Sequence, residues 1–380
     1  MRLLKITSLP DTISRSREER ERSRHIHVVH HERRDIRRMV EELIGRNACD
    51  FVSSHVDIYD ENNFLVSTTA RFNILRSFPG NCNNIVNLRR VNDIRYLNKF
   101  FEAVNERLRD GGLFIGMAET KDIRKARIFK RYPRGLNYLV YTLDFAINRV
   151  MPKVGGLKKL YFSLTRGHNR VLTRPEILGR LISCGFEIVE EQEIDQMFYW
   201  VVRRNSEPAY DYNPTYGPLI RLKRVGKGGE MIEVYKFRTM HPYSEYLQNY
   251  LFDKNNLDKD GKFRDDYRVT TFGRFMRRFW IDELPMLINL LMKRNMKLVG
   301  VRPLSRHYYS LYTPELQNHR VRHKPGLLPP YYADMPAGFQ EIMDSEKRYL
   351  ESYEKQPFLT DLRYFFIILF NILVYRVRSK

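Results

Sequence analysis

Trp280-Ile281-Asp282-Glu283-Leu284-Pro285 sets two adjacent carboxylates directly before an apolar run, Met286 to Met292. The first amides of a helix are unpaired and its dipole is positive there, so this spacing predicts Asp282 at the N-cap, Glu283 in the first turn and Asp282 held ionised. Pro285 is tolerated in a first turn. Basic stretches stand on either side: Tyr235-Lys236-Phe237-Arg238-Thr239-Met240 upstream and Leu298-Val299-Gly300-Val301-Arg302-Pro303 downstream. Taken alone, Asp282 reads as a plain cap.

The 380 residues suffice for two domains with their own cores, and a 43% hydrophobic content argues against global disorder. A formal charge of +21 points to a polyanionic partner: nucleic acid, an anionic membrane surface or a phosphate-bearing substrate. No nucleic-acid recognition motif is present, and the aromatic residues are not interleaved with Lys and Arg for stacking, so nucleic acid is not expected. Cys49, Cys82 and Cys184 are odd in number and far apart, which argues against a disulfide framework or a zinc site and for a reducing compartment. Met1 to Pro10 lacks a long apolar core, so no signal peptide is expected.

The best membrane candidate, Tyr364 to Tyr375, is bracketed by Arg363 and by Arg376, Arg378 and Lys380. It reads as too short to cross a bilayer, which takes roughly 18–20 apolar residues. It suits a helix lying among headgroups or, alternatively, an ordinary buried C-terminal helix. Residues 136–151, Leu136 to Met151, read as one apolar and aromatic helix interrupted by Asp144. With Lys130, Arg131 and Arg134 before it and Arg149, Lys153, Lys158 and Lys159 at its far side, it is a second candidate for membrane-surface contact. Packing against the core is the equal alternative.

Residues 1–38 are a charged arm whose His25, His27, His30 and His31 sit among arginines that would repel a metal ion. Residues 39–203 read as a first domain. Val40 to Ile44 suggests a short helix, Phe51 to Ile58 and Asn63 to Thr68 suggest strands, and Ile85 to Leu88 a buried strand. Ile94, Leu97, Phe101, Val104 and Leu108 recur at helical spacing after a cap at Asn92 or Asp93. Asp110-Gly111-Gly112 ends that helix, and Leu113 to Met117 is the next strand. Thr173-Arg174-Pro175-Glu176 opens a helix to Ser183, followed by strands Phe186 to Ile194 and Met197 to Arg203. Residues 204–216 read as a polar linker and residues 217–380 as a second domain.

Leu108 to Ile115 and Leu178 to Phe186 resemble the second half of a methyltransferase-like Rossmann fold. A GxGxxG turn is absent, which implies a scaffold or regulatory domain. From Gly217 onward the chain resembles the bacterial sugar transferases, the monotopic polyprenyl-phosphate phosphoglycosyl transferases. The landmarks are Arg224-Val225-Gly226, Lys236 to Met240, Asp266-Tyr267-Arg268-Val269-Thr270, Gly273 to Arg278, Asp282-Glu283-Leu284-Pro285, Leu298 to Pro303 and Lys324-Pro325-Gly326. The whole is then an α/β protein, a Rossmann-like domain followed by an α/β sugar transferase domain.

The resemblance implies that Asp282 carries a phosphosugar intermediate and that Glu283 helps hold Mg2+. It implies a UDP-sugar and polyprenyl phosphate as substrates, and the cytoplasmic face of a bacterial inner membrane as the place of work. Lys236, Arg238, Arg277 and Arg302 are the candidate phosphate clamp, since guanidinium groups meet phosphate in a bidentate way. Asp266 and Arg268 have two readings, site ordering or nucleotide contact on one hand and a structural ion pair on the other. Arg224 opens a turn, Arg224 to Gly229, whose amides either meet phosphate or close an ordinary hairpin.

The sequence departs from the family where a long re-entrant helix would precede Gly217-Pro218, and where Leu327 to Tyr332 follows Pro325-Gly326. Residues 136–151 and 364–375 are the candidates to replace the anchor. An inactive membrane scaffold of the same fold is the rival expectation.

Overall fold

The computed structural model describes residues 33–77, 80–210, 217–248, 250–251 and 266–375. The arm's four histidines therefore lie outside the described residues, and the helix predicted at Val40 to Ile44 is longer, beginning within the expected arm.

The described chain forms two compact units, Met1–Pro214 with Pro242–Tyr250, and Thr215–His241 with Leu251–Lys380. In the first, α1 (Arg33–Ile44) and α2 (Arg46–His55) precede β1 (Asn63–Val66), α3 (Arg71–Ser77), β2 (Cys82–Arg90), α4 (Leu97–Arg107) and β3 (Leu108–Ala118). There follow α5 (Lys121–Arg131), α6 (Leu136–Phe145), α7 (Leu157–Thr165), α8 (Arg174–Ser183), β4 (Phe186–Ile194) and β5 (Met197–Arg204). The sheet order is β1-β2-β3-β5-β4. β1, β2 and β3 run parallel, and β5 is antiparallel to both of its neighbours. This is the α/β plan expected, with the helix-and-two-strand ending in place.

Several local expectations are corrected. Phe51 to His55 is helical, because Ala48, Cys49, Phe51 and Val52 form one apolar face that packs with Leu65, Val86, Ile115 and Val201 of the sheet. Helical burial here overrides the alternating pattern. Asn92 is no cap. It is wholly buried, donating to the carbonyls of Glu119 and Arg170 and accepting from the Glu119 amide. Helix α4 stops at Arg107, so Asp110 to Gly112 lies inside β3. The helix expected over 136–151 breaks at Phe145 into a π-helical turn, Ala146–Val150, and a 3-10 turn, Met151–Lys153, where Pro152 cannot donate a backbone bond. The linker expected over 204–216 begins late: Arg204 ends β5, and the amides of Asn205, Ser206 and Ala209 bond to the carbonyls of Gly185 and Ser183.

Residues 242–250, expected in the second domain, belong to the first unit. The Tyr243 hydroxyl accepts from Asn98 Nδ2 at 2.9 Å, and Tyr250 donates to Glu191 at 2.8 Å.

The second unit opens with the hairpin β6 (Leu219–Val225) and β7 (Met231–Phe237). Then come α9 (Thr271–Arg278), a 3-10 turn (Ile281–Met286), a π-helical segment (Ile288–Lys293), β8 (Lys297–Val299), α10 (Arg306–Ser310), α11 (Pro314–Arg320) and β9 (Gly326–Leu328). Helices α12 (Tyr331–Asp334), α13 (Phe339–Lys355) and α14 (Pro357–Val374) complete it. Its main core gathers Val299, Val301, Leu316, Met343, Leu350 and Ile368.

Two motif glycines are required by close approach. A Cβ on Gly326 would lie 2.1 Å from the Gly300 amide nitrogen, so the backbones of Val299-Gly300 and Pro325-Gly326 can pair only because both lack side chains. Helix α14 is longer than its sequence suggests. At 18 residues it is long and apolar enough to cross a membrane, by length and composition only. One side is tied to its unit by Ile368 and by Asn371, which donates to the carbonyls of Tyr332 and Ala333, while Phe358, Phe366 and Leu373 are exposed.

Candidate active site

Asp282 and Glu283 lie in the short 3-10 turn, not at a helix start. Trp280 occupies the N-cap position, in the left-handed region at φ 60°. Asp282 is therefore a first-turn residue of a turn that contains Pro285, and the run after it, Ile288–Lys293, is π-helical. A left-handed conformation is uncommon for a bulky residue such as Trp. The Trp280 ring rests against Tyr332, with centroids 4.6 Å apart.

Both carboxylates are buried. The Lys236 ammonium from β7 donates to Glu283 Oε1 at 2.7 Å. Asp282 Oδ1, by contrast, is a buried oxygen with no hydrogen-bond partner among the described residues. Burial lifts the Asp282 carboxyl above its usual range, and the neighbouring Glu283 charge lifts it further, while Lys236 and Arg277 oppose them. The helix end expected to favour the charged form is absent: the turn offers no long helix dipole, and burial is the largest influence on the carboxyl.

Arg277, in the last turn of α9, donates through Nε to Thr239 Oγ1 at 3.0 Å. Helix α9 can lie this close because it carries Gly273, where a Cβ would sit 2.0 Å from the Thr239 carbonyl. Thr270 caps the same helix by accepting from the Gly273 amide. Burial, the first cause, pulls the Arg277 guanidinium below its usual value, against the field of Asp282 and Asp266. Arg302 lies in the electrostatic reach of Tyr331, Tyr332 and Glu283. Burial and then Arg302 pull Arg224 down as well. Guanidinium groups gathered in this way repel one another and are relieved by an anion.

The remaining candidates are placed as follows. Arg238 lies one residue past β7 and donates through Nε to the Gly217 carbonyl at 3.1 Å. Arg268 and Asp266 form a two-bonded ion pair, both contacts at 2.8 Å, which favours the structural reading of that pair. The amides of Gly226, Gly228 and Gly229 already bond to the carbonyls of Glu230, Val321 and Gly226, which favours the structural reading of the turn after Arg224. Outside this cluster, His319, His323 and Glu354 stand close enough to share an ion. Arg322 reaches the same Glu354 oxygen at 3.5 Å, which marks an ion-pair network.

One positioning residue escaped the sequence reading. Asn289, wholly buried, accepts from the Tyr235 amide at 3.0 Å and donates to the Glu233 carbonyl at 2.7 Å and to Asn295 Oδ1 at 3.1 Å. It fixes the segment after the acidic pair to the strand that carries Lys236. A lone Asn in an apolar run six residues after Glu283 was the available signal.

The carboxylate pair can hold a hard divalent cation or attack phosphorus, and the surrounding cations suit a diphosphate. Residues 212–374 match the family model described as bacterial sugar transferase. Over those residues the chain is similar to that family. Galactosyl transferase CpsE of Streptococcus agalactiae is 39% identical over 113 residues, 29% of this chain and 25% of that protein. Undecaprenyl-phosphate galactose phosphotransferase of Salmonella typhimurium is 37% identical over 110 residues, 28% of this chain and 23% of that protein. The chain thus spans about a quarter of the length of these relatives. Among solved structures, an O-methyltransferase family protein from Burkholderia thailandensis is 15% identical, covering 42% of this chain and 41% of that one at a TM-score of 0.23.

Proposed function

We propose that this protein transfers a sugar 1-phosphate from a UDP-sugar to a polyprenyl phosphate such as undecaprenyl phosphate, at the cytoplasmic face of a bacterial inner membrane, as an initiating step of capsule, exopolysaccharide or other glycan assembly. The observation that carries this reading is the buried Oδ1 of Asp282, which has no partner among the described residues, with Lys236 and Arg277 acting on the same carboxylate and Arg302 in the field of the adjacent Glu283. A buried carboxylate oxygen left without a donor is costly unless a ligand uses it.

In the proposed reaction Asp282 Oδ1 attacks the sugar-bearing phosphorus. A bond from phosphorus to the Asp282 oxygen forms, the diphosphate P–O bond breaks, and UMP leaves with its electron pair. An oxygen of the polyprenyl phosphate then attacks the same phosphorus. Asp282 is released as the carboxylate, and the product is a polyprenyl diphosphate sugar. Arg277 and Arg302 bind the phosphate oxygens and offset charge as it builds in each transfer, with Arg224 and Arg238 as further candidates at the edge of the clamp. Lys236 holds Glu283 in place and lowers the cost of ionising Asp282.

The donor set fits magnesium, which takes one or two carboxylates together with substrate phosphates. Glu283 and Asp282 would hold it, and when bound it supplies Lewis-acid charge to the diphosphate.

The test is UMP release from a panel of UDP-sugars by lipid-reconstituted protein with polyprenyl phosphate. Release by the parent and its loss in Asp282→Asn is the expected result. No release with any common UDP-sugar would leave the inactive-scaffold reading standing instead.

A further inference from the structure

The stretch from α6 to α7 is amphipathic in the reverse of the usual sense. A helix on a soluble domain turns its apolar face inward. Here the polar side chains go in. Asn137 and Arg149 are buried, Arg149 bonding Glu176 and the Val171 carbonyl, and Asp144 is held by Arg124 from α5. The side chains left outside are Leu139, Leu143 and Ile147, one turn apart, and then Leu157, Leu160 and Leu164 along α7. Leu164 is 73% exposed, although Tyr161 beside it is buried and bonded to Asn148 and to the His168 carbonyl. Such a row in water is an unmet hydrophobic demand.

Charge selects what meets it. Exposed cations flank the row: Lys130, Arg131 and Arg134 before α6, Lys158 and Lys159 within α7, and Arg166 after it. The one carboxylate between residues 130 and 166, Asp144, is paired inward. A second copy of this face would bring like charges together. A bilayer with anionic headgroups supplies the opposite charge and an apolar layer just beneath it.

We infer that the α6–α7 segment of the first unit docks on an anionic lipid bilayer, its leucine rows in the acyl boundary and Lys158, Lys159, Arg131 and Arg134 on the headgroups. This deepens the proposed membrane reaction by giving the accessory unit the task of holding the chain at the lipid, where the polyprenyl phosphate lies.

The test uses the full chain and phosphatidylcholine vesicles with or without phosphatidylglycerol. An environment-sensitive label goes on Leu143→Cys and, as a control, on Glu187→Cys in β4. The native Cys49, Cys82 and Cys184 are buried and do not compete. The label at 143 should shift to the blue on anionic vesicles and be quenched by spin-labelled lipid, while that at 187 stays aqueous. Combined Leu139→Gln, Leu143→Gln and Ile147→Gln should cut vesicle partitioning by about tenfold or more, and Lys158→Gln with Lys159→Gln by about tenfold on anionic vesicles.

All these side chains are exposed, so thermal melts should be unchanged. An aqueous spectrum at 143 on vesicles that the protein binds would overturn the inference, as would undiminished partitioning of the triple variant. So would a dimer in lipid-free buffer that the triple variant abolishes. None of these readouts depends on turnover. Loss of UMP release with the shift at 143 intact would count against the transferase reading alone.

Discussion

Glu176 in the first unit and Asp282 in the second are both buried carboxylates ringed by cations, and they differ in one respect. Both oxygens of Glu176 are engaged: Arg149 and Lys153 hold Oε2, and Arg180 holds Oε1. Burial works against its charge, yet Arg149, Lys153 and Arg180 keep its carboxyl well below the usual range. Asp282 has cations nearby but an oxygen that none of the described residues binds, and its carboxyl is lifted instead. A saturated charge cluster supports a fold. An unsaturated one of similar composition has room for the ligand proposed above.

The sharpest way to break this comparison is to neutralise each carboxylate in turn. Asp282→Asn should reduce UMP release by about 10⁴-fold or more. The same variant should fold more tightly at neutral pH. A carboxyl whose folded pKa is raised costs stability once ionised, so the cost is present above that pKa and removing the charge recovers it. Calorimetry at pH 7 should find Tm higher by about 2 °C. A lower Tm would mean that the Asp282 oxygen has a partner in solution.

Glu176→Gln should do the opposite, leaving Arg149, Lys153 and Arg180 without a counter-charge. Chemical denaturation should register a loss of about 3–5 kcal/mol. Since the Glu176 pKa is lowered on folding, its contribution is present above the ordinary glutamate range and is lost as pH falls through the lowered folded value. The parent should therefore lose this stability in acid, and the variant should show a flatter acid profile. Equal stabilities at pH 7 would remove the contrast.

Two smaller effects sharpen it. Asn289→Ala removes three hydrogen bonds from a buried site and should cost about 2 kcal/mol, with UMP release reduced because Lys236 and the acidic turn lose their common tie. Lys236→Met takes a positive charge away from Asp282. The carboxyl should rise further, so the acid limb of kcat/KM should move to higher pH by about one unit or less. A limb that moved to lower pH would exclude Asp282 as the group being titrated.

The architecture was legible where burial and periodicity agree. Ile85 to Leu88, Leu113 to Met117 and the closing pair of strands in the first unit announce themselves by apolar or alternating runs. Phe51 did not, because a short segment facing a sheet can satisfy a helix or a strand pattern equally. The carboxylate pair and its cations were legible from their spacing and from the family resemblance, but their local geometry was not. A proline three residues after Asp282 and a left-handed Trp280 make a tight turn where a capped helix was expected. Burial then reversed the direction of the Asp282 shift, which no reading of neighbours in sequence could reveal. Asn289 was invisible for a related reason: its partners, Glu233 and Tyr235, are more than fifty residues away. The reversed amphipathicity of α6 required knowing which side faces in. The sequence showed apolar residues beside Lys and Arg, and only the structure separates the buried Arg149 from the exposed Lys158.

The central claim is that Asp282 Oδ1 is the atom that accepts the phosphosugar. The most direct measurement is to incubate the protein with a UDP-sugar in the absence of polyprenyl phosphate, quench, digest, and map any added sugar phosphate by mass spectrometry. The account predicts one adduct, on the peptide bearing Asp282-Glu283 and localised to Asp282, which disappears when polyprenyl phosphate is added. An adduct on another residue, or turnover with no adduct at any time point, would contradict it.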